Sequence, residues 1–432
     1  MKRLRIILRY VYQFAMLFGF ISNVPLGPLT TRRAVLLFAF ISIISKKNSL
    51  KVLFKSINRS DFSIALSFLF CSLFLTFFHT AGTTQSDFTD YFEPREIVTL
   101  FINILVMGLW CVLEIKSFTR FAGLVVGVML TQSVFTFVTA VYPPLRIYVA
   151  ENFMSASYLE RAQDTIYGLG GRAAGFGIAW SSGALILAFG CFILIAMKQM
   201  NAISTMMFSI SFALIISATA LMGRTGLIAG LLFLFYYGVS SGRAKNIFAV
   251  SLVAIVGFIV LNQVLSMYDA QVAAKTMDWI MEFTNSDRVE EINSKVVDDG
   301  FPPLSSDFIF GTGLKHGHFK NYRFTADSGY IHCYTSIGVV GMFFYYVGLL
   351  YLFLSVMSKK IEKNMRKLIW VAIVIMFAVE YKEPYIGMGI YPWIIFTTAL
   401  FLNKNTKLNK NENINSWRFL SESQSKAKVG IG

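Results

Sequence analysis

The feature that most constrains this chain is a rhythm. Long apolar runs return every few tens of residues, from the N-terminus to about residue 402. A run of about 18 or more apolar residues is long enough to cross a bilayer. Only 15% of the 432 residues are charged and 55% are hydrophobic, where a soluble chain carries roughly 25% charged residues. The pattern predicts an all-α polytopic membrane protein of about twelve spans. They are placed near 6–24, 32–45, 62–79, 97–113, 121–142, 173–197, 203–222, 225–239, 247–266, 327–356, 367–381 and 385–402.

A net charge of +15 would suggest a nucleic-acid partner in a soluble chain. Here the positive-inside rule accounts for it, and no nucleic acid is implied. With the N-terminus cytoplasmic, the cytoplasmic segments are 1–5, 46–61, 114–120, 198–202, 240–246, 357–366 and 403–432. They hold more than half of the 39 lysines and arginines in less than a fifth of the chain. "MKRLRIILRYVYQFAMLFGFIS" starts like a secretory signal but lacks a small-x-small cleavage pattern, so it reads as a retained first helix. Cys71, Cys111, Cys191 and Cys333 each sit in or at the start of an apolar run, without CxxC spacing. They read as packing residues rather than a disulfide or metal framework.

The expected organisation is helices 1–9 over residues 1–266, a large outside loop at 267–326, and helices 10–12 over 327–402. A polar tail, expected to be disordered, follows at 403–432. Two smaller outside loops fall near 79–96 and 143–172. The halves differ too much in loop length for the internal repeats of secondary transporters.

Outside the membrane, arginine is not explained by topology. Arg172 ("GLGGRAAG") and Arg224 ("LMGRTG") stand among glycines at the outer mouths of spans. Glycine admits a ligand close to the backbone, a helix start offers free N–H groups, and arginine adds a donor fork suited to phosphate. Snorkelling or loop pairing is the plainer alternative. "GLGGRA" partly matches a dinucleotide fingerprint, but no βαβ unit surrounds it.

Further along, "FGTGLKHGHFKNYRFTADSGYIHCYTSIGVVG" gathers ionisable groups where the chain re-enters the membrane. Asp327 could act as a general base, orient one, or cap the following helix. Tyr330 and His332 could bind sugar hydroxyls. His316 and His318 suit acid–base work or substrate contact better than metal, since no further ligand follows at a useful spacing. Lys315, Lys320 and Arg323 could extend an anion-binding surface or form a solvated face. Glu380, Lys382 and Glu383, in "VEYKEPYIG", read as an outer turn with local ion pairing.

This layout resembles the Wzy-type O-antigen polymerases and the related O-antigen ligases. The likeness lies in the span pattern, the two arginine-bearing outer loops, the "GRTGLIAGLLFLF" span at 223–235 and the late loop ending in "DSGYIHCYTSIGVVG". Arg172 with Gly183 eleven residues on also resembles the Arg-x10-Gly pattern of some polymerases. The resemblance implies a GT-C-like inner-membrane glycosyltransferase acting at the periplasmic face. The donor would be a glycan on undecaprenyl pyrophosphate and the acceptor another lipid-linked repeat unit, with no cofactor and no metal. Arg172, Arg224 and Arg323 would then hold the departing pyrophosphate, and Asp327, His316 or His318 would serve as base. Lys315, Tyr330 and His332 would touch the substrate. A chain-length regulator is the protein partner the family implies. Ligases usually show a His-Asn type motif where this chain has Asp327-Ser328, which favours polymerase. A flippase or transporter would show charged groups or broken helices at mid-membrane depth.

Overall fold

The structure, a computed structural model, describes residues 2–27, 29–46, 49–82, 94–154, 173–241, 308–312, 328–357, 361–382 and 384–403. It also describes short pieces at 251–252, 317–319 and 322–324 and single residues at 259, 263 and 266. The chain is a mostly helical, polytopic membrane protein. Seven helices among the described residues are long and apolar enough to cross a membrane. They are α1 (Lys2–Ser22), α4 (Arg59–Gly82), α5 (Pro94–Glu114), α6 (Phe118–Val141), α8 (Trp180–Gln199), α9 (Thr205–Met222) and α11 (Gly329–Val356). Four more, α2 (Thr31–Ile44), α10 (Arg224–Ser241), α12 (Lys363–Glu380) and α13 (Ile390–Asn403), are shorter or carry more charge. The expected span at 247–266 and the tail lie almost wholly outside the described residues.

The helix ends sort into two sets. Arg9 of α1 meets Glu114 at the end of α5, and Lys46, just beyond α2, meets the same carboxylate. Asn58 N–H donates to Ser355 near the end of α11, and Asn403 at the end of α13 donates to Ser56. Tyr236, late in α10, donates to Asn364 at the start of α12. These residues form a proximal end, the side where α1 begins. Its opposite, the distal end, holds the first turns of α8, α10 and α11 and the last turns of α6, α9 and α12.

α8 lies at the centre. Its window Ser181–Gln199 is 89% buried, as befits a helix apolar on every side. The outward faces of the flanking helices are apolar as well: Phe74 and Phe78 of α4 are 61% and 70% exposed. In water such a surface would be an aggregation site; in lipid it is the required one.

The structure departs from the expected spans where backbone chemistry intervenes. Among the described residues three two-stranded antiparallel hairpins interrupt the all-α pattern: β1 (Pro25–Leu26) with β2 (Leu29–Thr30), β3 (Ala174–Gly175) with β4 (Ile178–Ala179), and β5 (Gly317–Phe319) with β6 (Tyr322–Phe324). The second occupies the first residues of the expected span at 173–197, so its helix starts only at Trp180. Gln132 of α6 clamps that hairpin: Phe176 N–H donates to Gln132 Oε1 at 2.7 Å, and Gln132 Nε2 donates to Phe176 O at 3.0 Å. The expected outside loop from 143 opens instead as helix α7 (Pro143–Phe153), with proline in its first turn, where the missing N–H does no harm. Between α2 and α4 a short helix, α3 (Ser49–Ser56), lies at the proximal end.

The largest departure is in α11, which was expected to be continuous. At Gly338 the backbone takes φ 68° and ψ −178°, a conformation that only glycine enters readily. The break frees backbone groups inside an apolar bundle, and residues 308–312, expected as solvated loop, supply their partners. Val340 N–H donates to Ile309 O at 3.1 Å, while Thr312 N–H donates to Thr335 O at 2.8 Å. Phe308 is fully buried and stacks on Tyr334 at 5.4 Å. Irregular backbone at this depth is tolerated because protein surrounds it.

Candidate functional site

The distal end gathers the described polar groups that the sequence nominated. α9 stops at Gly223 and α10 begins at once with Arg224 and Thr225, so the N-terminal turn of α10, the positive end of its dipole, faces this end. Lys382, just beyond α12, donates to Thr225 Oγ1 at 3.1 Å. Lys382 is thereby tied to the residue that follows the half-buried Arg224 at the start of α10.

The glycines flanking Arg224 have a packing role. A Cβ on Gly223 would stand 2.8 Å from Ser181 Cα, and one on Gly226 would overlap the Ala184 backbone. They let α10 close on α8, so the expectation that they admit a ligand to the backbone is not how Gly223 and Gly226 are used. Arg224 itself remains at the mouth.

Beside this pair stands a buried acid. Glu380, the last residue of α12, is 2% exposed. Its Oε2 accepts from Ile386 N–H at 2.8 Å, and its Oε1 accepts from Tyr346 hydroxyl at 3.3 Å. Gly329, the first residue of α11, lies directly on the Glu380 carboxylate; a Cβ there would collide with it. A second acid, Glu96 in the first turn of α5, stands beside the short 3-10 turn Ile386–Met388, since a Cβ on Gly387 would lie 3.7 Å from its Oε2.

The first turn of α11 completes the cluster. Tyr330 donates to Phe377 O at 2.6 Å and its ring lies 5.1 Å from that of Tyr346. His332 is buried, and its carbonyl accepts from the Thr335 and Ser336 hydroxyls. Tyr346 also reaches Cys333 Sγ at 3.4 Å. The half-helix before Gly338 is therefore pinned on one side by α12 and on the other by residues 308–312.

Of the nominated residues, Arg224, Tyr330 and His332 come together at this end. His318 and Arg323 are direct cross-strand partners in the β5–β6 hairpin. Arg172, Asp327, His316, Lys315 and Lys320 lie outside the described residues; Asp327 immediately precedes Ser328, the N-cap of α11. The expected outer turn is present at Tyr381–Lys382, with Lys382 exposed, but its contacts differ from local ion pairing: Glu380 is buried and accepts from Ile386 N–H and Tyr346, and Lys382 crosses to Thr225. The signal was present, since an acid closing an apolar helix is an ionisable group at membrane depth. Arg146 of α7 was not singled out either. It is 3% exposed, and burial pulls its pKa below the usual arginine value.

Chemically, the arrangement offers cations and helix N–H groups to an anion, a desolvated carboxylate, and several hydroxyls. Among the described residues no group of three or more His, Cys, Asp or Glu could hold a metal ion. Comparison of the chain with family models, curated proteins and solved structures finds no match.

Proposed function

We propose that this chain is a polymerase of lipid-linked glycan repeat units, of the Wzy type. It would transfer a glycan from undecaprenyl pyrophosphate to another lipid-linked unit at the distal, periplasmic end of a GT-C-like inner-membrane bundle. One observation carries the reading: Arg224 and Lys382 share the N-terminus of α10 at the same end as the buried Glu380 and the pinned start of α11. A pyrophosphate leaving group needs fixed positive charge, and cations held among low-dielectric walls supply it without reorganisation. In this reading Arg224 binds the pyrophosphate, with Arg172 and Arg323 as further arginines. Asp327, His316 or His318 supplies the base, and Tyr330, His332 and Lys315 lie toward the sugars. Glu380 is a positioning residue that holds the start of α11.

A second reading has its own support. The break in α11 is the kind of feature expected of a lipid-linked oligosaccharide transporter. One experiment separates them: the lipopolysaccharide banding of a deletion strain complemented with wild type or Arg224→Ala. Core plus a single repeat unit in the deletion identifies a polymerase. Core alone removes that reading, and polymerised chains left on the lipid carrier then indicate a ligase while their absence indicates a transporter. A full ladder from normally expressed Arg224→Ala would refute the assignment of Arg224.

A further inference from the structure

The proximal end carries a basic cleft that the proposed chemistry does not use. It has a volume of about 770 Å³ and lies between α1 and the start of α6, lined by Arg9, Tyr10, Glu114, Lys116, Ser117 and Arg120 among others. The tight α5–α6 connection builds it. Lys116 takes a left-handed turn at φ 71°, and Ser117 then caps α6 by accepting from Arg120 N–H at 3.4 Å. The first turn of α6 therefore opens beside the cleft.

The charges in it are unbalanced. Glu114 is already engaged by Lys46, by Arg9 at 3.6 Å and by the Ser42 hydroxyl at 3.1 Å. Its carbonyl also accepts from Arg9 at 2.9 Å and from Gln13 at 2.8 Å. Among the described residues no carboxylate lies within 4 Å of Lys116 or Arg120. The Arg120 guanidinium lies over the Tyr10 ring at 3.6 Å, and its Nε and Nη2 are buried with no hydrogen-bond acceptor. Arg9 and Lys46 thus share one carboxylate, Lys116 and Arg120 have none beside them among the described residues, and the Arg120 guanidinium keeps two donors without an acceptor.

We propose that this cleft binds the phosphate headgroup of an anionic membrane phospholipid. What favours lipid over a soluble phosphate is the adjoining surface. Ile6 and Ile7 of α1, one helical turn before Tyr10, are 55% and 58% exposed, an apolar wall along which acyl chains can lie. A basic pocket bordered by lipid-facing helix is a headgroup site, with each cation contributing separately to affinity.

The test uses the full-length chain in phosphatidylcholine nanodiscs doped with phosphatidylglycerol, with bound lipids counted by native mass spectrometry. Wild type should retain phosphatidylglycerol in preference to phosphatidylcholine. Affinity should fall about five-fold for each cation removed, so Lys116→Gln with Arg120→Gln together lose about twenty-five-fold. Equal retention of the two lipids by wild type, or undiminished retention by the double variant, overturns the proposal. If the double variant does not fold, Lys116→Gln alone carries the comparison, because that side chain is exposed. A third arm adds inorganic phosphate: full displacement of phosphatidylglycerol at millimolar concentration would make the ligand a soluble phosphate and overturn the assignment to lipid.

Discussion

Replacing Gly338 by alanine tests whether the break in α11 organises the distal end. The new methyl would collide with Gly311 N and Ile309 O, so residues 309–311 must leave their seat or α11 must straighten. Holding a non-glycine residue at φ 68° costs about 1–3 kcal/mol. Displacing the segment also forfeits the bonds from Val340 N–H to Ile309 and from Thr312 N–H and Oγ1 to Thr335, at about 1 kcal/mol each. The expected penalty is about 4–6 kcal/mol, concentrated on the half-helix that carries Tyr330, His332 and Cys333. Cys333 gives a local readout: Cys71 is exposed, whereas Cys111, Cys191 and Cys333 are buried. In a Cys71→Ser background the parent chain should label slowly with maleimide. Gly338→Ala should gain one fast site, mapped by mass spectrometry to Cys333. If Cys333 stays protected and thermal unfolding is unchanged, residues 308–312 do not hold the half-helix and the reasoning fails.

Substitutions at three further residues probe the same end. Gly226→Leu should force α10 from α8 and lower the melting temperature sharply, while Gly226→Ala should cost about 1–3 kcal/mol; a neutral leucine variant would refute the close crossing. Glu380→Ala strands the buried Ile386 N–H and should destabilise by about 1–3 kcal/mol, whereas Glu380→Gln keeps an acceptor and should fall within about 1 kcal/mol of wild type in thermal unfolding. Gln132→Leu removes both bonds to Phe176 and the 2.8 Å bond to Ser22. Limited proteolysis should then cut near the β3–β4 turn, and unchanged resistance would show that the clamp is dispensable.

The spans were legible because apolar length is a local property: α1, α4, α5, α6, α8, α9 and α11 are each spelled out by their own residues. The exceptions are places where a distant residue decides. Nothing local in "AAGFGIAW" states that Gln132, 44 residues earlier, will satisfy the backbone at Phe176 and allow a hairpin. "TSIGVVG" reads as continuous helix because glycine is common in membrane helices; only the arrival of Ile309 and Thr312 makes a break at Gly338 affordable. The same holds for the site. Arg224 was found because arginine at a helix start has local meaning. The burial of Glu380 was not legible locally, because "VEYKEPY" reads as an outer turn with local pairing and only Ile386 and Tyr346 close around the acid.

Those exceptions share a location, and the reason is energetic. The β1–β2 and β3–β4 hairpins, the 3-10 turn Ile386–Met388, the half-helix Gly329–Ile337 and the buried Glu380 all belong to the distal half of the bundle. Each places backbone or charge where a plain helix would leave nothing unsatisfied; the β1–β2 hairpin is closed locally by Val24 and Thr31, and the others rest on specific long-range bonds. A bundle that merely had to sit in lipid would gain stability by replacing all of them with helix. The proximal end approaches that plainer state, with helix ends tied by Asn58, Asn403 and Glu114. The asymmetry is what the proposed placement of the polar chemistry in the distal half would require.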